Sequence, residues 1–121
     1  MSIGYLGEMI REVIGDGSQF GLEIQYSFDG DVLLGTGGAV KKALPMLGNE
    51  FFVLYGDSFL PINFSQVEQA FYSSHKSGLM TILKNENQWD TSNVIYENGQ
   101  LIEYNKKTLA PSMHYIDYGL G

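Results

Sequence analysis

Leu6, Met9, Ile10, Val13 and Ile14 recur at the spacing of one helical face, so residues 6–14 are predicted to form a helix, closed by Gly15. Leu22, Ile24, Tyr26 and Phe28 then alternate with polar residues, the pattern of a half-exposed strand over residues 22–28. Residues 29–38 are a glycine-rich loop, and a helix is expected over residues 39–47, shortened or kinked by Pro45. The apolar run 51–55 breaks at Gly56-Asp57 and reads as a buried strand of a parallel sheet. Ser65, with Glu68 three residues on, has the form of a capping box for a helix reaching about residue 75. Residues 79–83 make another buried strand. Segments 93–97 and 101–104 flank Asn98-Gly99, a strong hairpin signal, and residues 114–120 supply a last strand. Strand-helix alternation thus gives way to antiparallel strands. That order predicts an α/β sheet with an appended β element and argues against all-α and all-β folds.

At 121 residues the chain has the length of one domain. Seven basic residues against 14 acidic ones, net −7, argue against nucleic acid or an anionic membrane as the main partner. A small phosphate ligand remains compatible, because backbone amides and a metal neutralise phosphate locally. With no cysteine there is no disulfide and no thiolate metal site, which fits a cytoplasmic protein. No apolar stretch approaches the ~20 residues of a membrane span. The opening Ser2-Ile3-Gly4-Tyr5 resembles the tail of a strand, and the chain closes on a strand-like run, so both ends read as cut.

Several groups could carry chemistry. Asp57, at the carboxyl end of the 51–55 strand beside the small Gly56, suits a divalent metal that also holds substrate oxygens; it equally suits a turn closed on its own backbone. Gly35, Thr36, Gly37 and Gly38 open a helix and would let a ligand lie against backbone, or serve as a flexible connection. They form neither a dinucleotide fingerprint, since Val40 stands at the third glycine position, nor a P-loop. Residues 89–93 form a polar loop whose Asp90 and Asn93 suit either a hydroxyl-rich ligand or a turn. Lys106 could set one cation against a phosphate or be a solvated loop charge. Ser112, His114 and Asp117 do not make a hydrolase triad, because His114 and Asp117 fall on opposite faces of a strand.

Taken together, Leu34-Gly35-Thr36-Gly37-Gly38-Ala39, Val53-Leu54-Tyr55-Gly56-Asp57 and Asn105-Lys106 resemble the sugar-phosphate nucleotidyltransferase family. Residues 3–6, 89–93 and 115–119 are similar to its branch acting on hexose or heptose 1-phosphates. The resemblance implies a Rossmann-like, three-layer, mainly parallel sheet of the glycosyltransferase-A-like kind. It also implies an enzyme that joins a nucleoside triphosphate to a sugar 1-phosphate with Mg2+, serving surface polysaccharide synthesis. Gly35, Thr36, Gly37, Gly38 and Gly56 would border the nucleotide, Asp57 would hold Mg2+, and Lys106 would face the sugar phosphate. Asn93, Asn105, Asp117 and Gly119 would border the sugar, although many relatives carry a glutamate where Asn105 stands.

The resemblance makes residues 1–121 a partial domain. The family's N-terminal strand with its triphosphate loop, and a second metal-binding carboxylate beyond the last strand, have no counterpart in the sequence. The first strand would lie between the strand ending at Tyr5 and the 51–55 strand, so the isolated chain is expected to be inactive, poorly stable as a monomer and prone to self-association. A non-catalytic nucleotide- or sugar-binding module is the alternative. A dinucleotide-dependent oxidoreductase, with Asp57 as the ribose acid, is disfavoured by Val40.

Overall fold

The computed structural model describes every residue except Asn87 and comprises two compact units, Met1–Phe51 and Phe52–Gly121. In the first, β1 (Ser2–Ile3) pairs in parallel with β2 (Ser27–Phe28), Ile3 lying opposite Phe28. Helix α1 (Gly7–Ile14) connects them, and α2 (Gly35–Ala43) packs against both strands. Ile3, Ser27 and Ala43 are buried there.

Two elements of this unit depart from the sequence reading. The strand expected over residues 22–28 contracts to Ser27–Phe28. The stretch before it is held by other bonds: the Ile24 amide donates to the Asp16 carbonyl and the Tyr26 hydroxyl to the Gly15 carbonyl. Alternation marks which face of a segment is apolar, but a strand also needs a neighbouring backbone to pair with. Helix α2, in turn, begins at Gly35 rather than near residue 39, so Gly35, Thr36, Gly37 and Gly38 form its first turn and not a loop. It ends at Ala43 and tightens into a single 3₁₀ turn, Leu44–Met46, because Pro45 has no amide to continue the ladder.

The second unit holds helix α3 (Phe64–Ser74) and a four-stranded antiparallel sheet. Its strands are β3 (Ile82–Lys84), β4 (Val94–Glu97), β5 (Gln100–Tyr104) and β6 (Tyr115–Asp117), in the order β3-β6-β4-β5. The β4–β5 hairpin turns at Asn98-Gly99, whose φ values of 50° and 79° are the positive pair that a tight hairpin requires. Asn63 caps α3, its Oδ1 accepting from the Gln66 amide at 3.2 Å, so the capping box expected at Ser65 and Glu68 is replaced by a cap two residues earlier. His75 follows the helix in a left-handed conformation.

The run 51–55 differs most from expectation. Val53 and Gly121 exchange backbone bonds of 2.7 and 3.0 Å, the Tyr55 amide donates to the Gly119 carbonyl at 3.0 Å, and Leu54 lies opposite Leu120. The pairing is antiparallel, and Phe51, Phe52 and Leu54 are exposed, whereas a buried parallel strand was predicted. An apolar run records the capacity to be covered on both faces, not the direction of its partner. The expectation of a mainly parallel sheet is corrected in the same way: among the described residues β1–β2 is the one parallel pair, and the observed class is mixed α/β.

The core of the second unit combines Val67, Val94, Met113 and Leu120 with the buried polar residues Thr81, Asn85, Ser92 and Asn93. No helix among the described residues is long and apolar enough to cross a membrane.

Gly119 links the 119–121 ladder to β6. The Tyr118 amide donates to Thr81 and the Thr81 amide to Leu120, so Gly119 is skipped by that side of the sheet. Its φ is +82°, and a Cβ there would lie 2.6 Å from Ser58 Oγ. Gly119→Ala is therefore expected to destabilise the fold by about 1–2 kcal/mol or more, read as a lower urea midpoint. An unchanged midpoint would contradict the constraint.

Candidate functional site

The 53–55 segment runs beside residues 119–121, which follow β6 in the chain, and it is left through the turn Tyr55-Gly56-Asp57-Ser58, in which the Ser58 amide donates to the Tyr55 carbonyl at 3.3 Å. Asp57 and Ser58 thereby reach an open cleft of ≈530 Å³ on the second unit. Tyr55, Asp90, Thr91, Asn93, Lys106 and Asp117 also line it, over a floor that includes Leu109 and Ile116.

Asp117 is the most constrained of these groups. Its side chain is only 6% exposed. Oδ1 accepts from the Gly119 amide at 3.0 Å, and Oδ2 accepts from the Tyr104 hydroxyl at 2.8 Å and lies 3.4 Å from Lys106 Nζ. The ammonium of Lys106 also lies over two aromatic rings, 5.2 Å from the centre of Tyr55 and 5.6 Å from that of Tyr104. Burial pushes the Asp117 carboxyl up, but the Gly119 amide, the Tyr104 hydroxyl and the Lys106 ammonium outweigh it and hold the group below its ordinary value. Contact with the Tyr104 hydroxyl, against partial burial, raises Lys106, and Tyr55 and Asp117 add to that. Burial, ahead of its bonding partners, raises Tyr104.

Asn93 ties three segments together. Its amide donates to the Tyr115 carbonyl, its carbonyl accepts from the Asn105 amide, and its Oδ1 accepts from the Asp117 amide at 3.1 Å. The side-chain oxygen is thus committed, and Nδ2 is the group left for a ligand, a donor suited to a hydroxyl. The buried Asn85 holds the loop that carries Asp90 and Thr91. Its Nδ2 bonds the Asp90 carbonyl and, at 3.1 Å, Ser92 Oγ, while its Oδ1 accepts from the Trp89 amide at 3.2 Å.

Of the residues expected at a site, the cleft brings together Asp57, Asn93, Lys106 and Asp117, which are widely separated in sequence. Gly56 and Gly119 adjoin it. Asn105 lies beside it with its side chain engaged in the local turn, where Oδ1 accepts from the Lys107 and Thr108 amides at 3.0 and 2.9 Å. Gly35, Thr36, Gly37 and Gly38 belong to the first unit, where they open α2. The sequence reading missed Tyr55, Ser58 and Tyr104. Each is adjacent in sequence to a predicted site segment, Tyr55 and Ser58 flanking Gly56-Asp57 and Tyr104 preceding Asn105-Lys106. For Asn85 no signal distinguished a buried polar clamp from a surface asparagine.

No group of three or more His, Cys, Asp or Glu side chains placed to hold a metal occurs among the described residues. The carboxylate of Asp57 would fit an ion bound chiefly through other ligands, as Mg2+ is when it keeps waters and takes substrate phosphate oxygens.

No family model matches the chain. It is 34% identical over 90 residues to the D-glycero-alpha-D-manno-heptose 1-phosphate guanylyltransferase of Campylobacter jejuni, an alignment covering 74% of this chain and 38% of that protein. It is 36% identical over 84 residues to the N-acetylmuramate alpha-1-phosphate uridylyltransferase of Neisseria meningitidis, covering 67% of this chain and 36% of the relative. Among solved structures, a Bacillus anthracis protein provisionally described as a glucose-1-phosphate thymidylyltransferase, in complex with a sucrose, superposes with a TM-score of 0.69 at 17% identity. That likeness covers 94% of this chain and 46% of the other, and it concerns the fold. The chain spans less than half the length of each of these proteins.

The depressed Asp117 carboxyl has a consequence for stability. Its folded value lies below the unfolded one, near 3.8, so its contribution is fully present above that pH and is lost as pH falls through the folded value. Urea unfolding followed from about pH 6 to about pH 2 should show a decline below pH ~4 that is shallower in Asp117→Asn. Superimposable acid limbs for the two proteins would contradict the assignment.

Proposed function

We propose, on the premise that this chain belongs to the sugar-phosphate nucleotidyltransferase family over the segment it shares with these relatives, that the protein joins a nucleoside triphosphate to a sugar 1-phosphate. An oxygen of the sugar phosphate attacks the α-phosphorus in line, the bond from that phosphorus to the bridging oxygen breaks, and pyrophosphate leaves. No covalent enzyme intermediate is required, so the task of the protein is to position the reactants and balance charge. The observation that carries the reading is the convergence of Asp57, Asn93, Lys106 and Asp117 on one cleft.

Each group has a role within this reading. Lys106 presents an ammonium to the sugar phosphate, and Asn93 offers an amide donor to a sugar hydroxyl. The cleft is lined by three carboxylates, Asp57, Asp90 and Asp117, against the single ammonium of Lys106. A phosphate ligand entering such a surface needs further positive charge. Asp57 would hold Mg2+, which when bound supplies that charge to the phosphate oxygens. The helix start at Gly35, Thr36, Gly37 and Gly38 has free amides of the kind that bond a nucleotide. The sugar 1-phosphates named for the relatives, a heptose and an N-acetylmuramate, support a sugar 1-phosphate as the acceptor here, and the activated sugar would serve surface polysaccharide synthesis.

The test is pyrophosphate release by the intact protein across the common nucleoside triphosphates and a panel of sugar 1-phosphates. Turnover in at least one combination is expected, with loss on chelation of Mg2+ and a fall of about a hundredfold or more in Asp57→Ala. Binding of these ligands without turnover in any combination would replace the transferase with a non-catalytic binding module. Undiminished activity in Asp57→Ala would remove Asp57 from the metal role.

A further inference from the structure

We propose that Asp117 is a positioning residue for the Lys106 ammonium and not a ligand of the substrate, with Tyr104 and Tyr55 completing the cradle. The proposal rests on the reading of Lys106 as the cation for a sugar phosphate and deepens it. Both carboxylate oxygens of Asp117 are already engaged, Oδ1 by the Gly119 amide and Oδ2 by the Tyr104 hydroxyl and Lys106. With these three contacts and a side chain 6% exposed, the carboxylate has about one acceptor site left to offer a sugar hydroxyl. Lys106, by contrast, has a side chain 53% exposed and lines the cleft. An ammonium has three donors. Its contacts with Asp117 and the Tyr104 hydroxyl leave at least one for a phosphate.

The aromatic rings limit where the ammonium can go. A lysine on a loop ordinarily samples many rotamers, and fixing it costs about 1.5–2 kcal/mol of side-chain entropy. Here two ring faces and one carboxylate define a single favourable place for the charge before any ligand arrives. The pairing with Asp117 is anchored in turn, because Tyr104 OH donates to the same oxygen and the Gly119 amide fixes the other. The remaining charged groups lining this cleft are Asp57 and Asp90. Lys107, one residue on, enters none of these contacts and serves as an internal reference.

Two readouts on the intact protein test the proposal. The first does not depend on catalysis. The folded protein is treated with limiting acetic anhydride, and acetylation of Lys106 relative to Lys107 is read by mass spectrometry. Asp117→Asn should raise that ratio about threefold or more, since removing an opposite charge frees the amine, and Tyr104→Phe should raise it as well. If Asp117→Asn does not fold, Tyr104→Phe, which keeps the ring, carries the test. An unchanged ratio in the folded variants would overturn the proposal.

The second readout is steady-state kinetics. Asp117→Asn should raise KM for the sugar 1-phosphate about tenfold, a typical loss for one charge-assisted contact, and leave KM for the triphosphate in place. In a Lys106→Ala background the same substitution should add less than about twofold, because it acts through the lysine. Full additivity would show that Asp117 touches substrate itself and would also overturn the proposal. Absence of turnover in the unsubstituted protein would count against the transferase reading, while the acetylation ratio would still decide the role of Asp117.

Discussion

A carboxylate withdrawn from water must be paired and hydrogen-bonded, and Asp117 meets that requirement with groups from three places in the second unit. The Gly119 amide comes from the chain two residues on, just past the end of β6, the Tyr104 hydroxyl from the end of the β4–β5 hairpin, and the Lys106 ammonium from the segment that follows it. Leaving such a group without partners costs several kcal/mol, a large share of the ~5–15 kcal/mol that holds a domain together. Satisfying it therefore fixes where the hairpin end lies against β6. The cleft exists because these elements are drawn to one carboxylate.

Asn93 and Asn85 perform the same service for the backbone. Asn93 links β6 to the chain before Lys106, and Asn85 gathers the turn that brings Asp90 and Thr91 to the cleft. Both are buried, and each bonds several partners, Asn93 keeping its Nδ2 for a ligand. The site is consequently lined by groups whose positions are set by buried hydrogen bonds. Such preorganisation is what a reaction needs when the chemistry requires only orientation and charge balance.

Much of this was legible in the chain itself. The helix periodicity from Leu6, the Asn98-Gly99 turn and the switch from helix-strand alternation to antiparallel strands all appear in the structure. So does the placing of Asp57, Asn93, Lys106 and Asp117 on the same cleft. What was illegible depends on partners distant in sequence. The apolar run 51–55 does not reveal that its neighbour is 119–121, or that it runs antiparallel. The alternation over residues 22–28 does not show that only Ser27–Phe28 finds a strand to pair with. A glycine-rich sequence reads as a loop, yet Gly35–Ala43 is helical, because propensity is a weak prior against packing on β1 and β2. Nor could the partners of Asp117 be read in advance, since they are set by the assembled fold.

The central claim is that this cleft, through Lys106 and Asn93, receives a sugar 1-phosphate. Backbone amide shifts of the intact protein, recorded while glucose, N-acetylglucosamine and mannose 1-phosphates are added in turn with Mg2+, test it most directly. The account predicts that at least one of them shifts the amides of Asn93, Lys106 and Asp117 together and saturably. Saturable shifts centred elsewhere, with these three amides unmoved by every sugar phosphate, would contradict it.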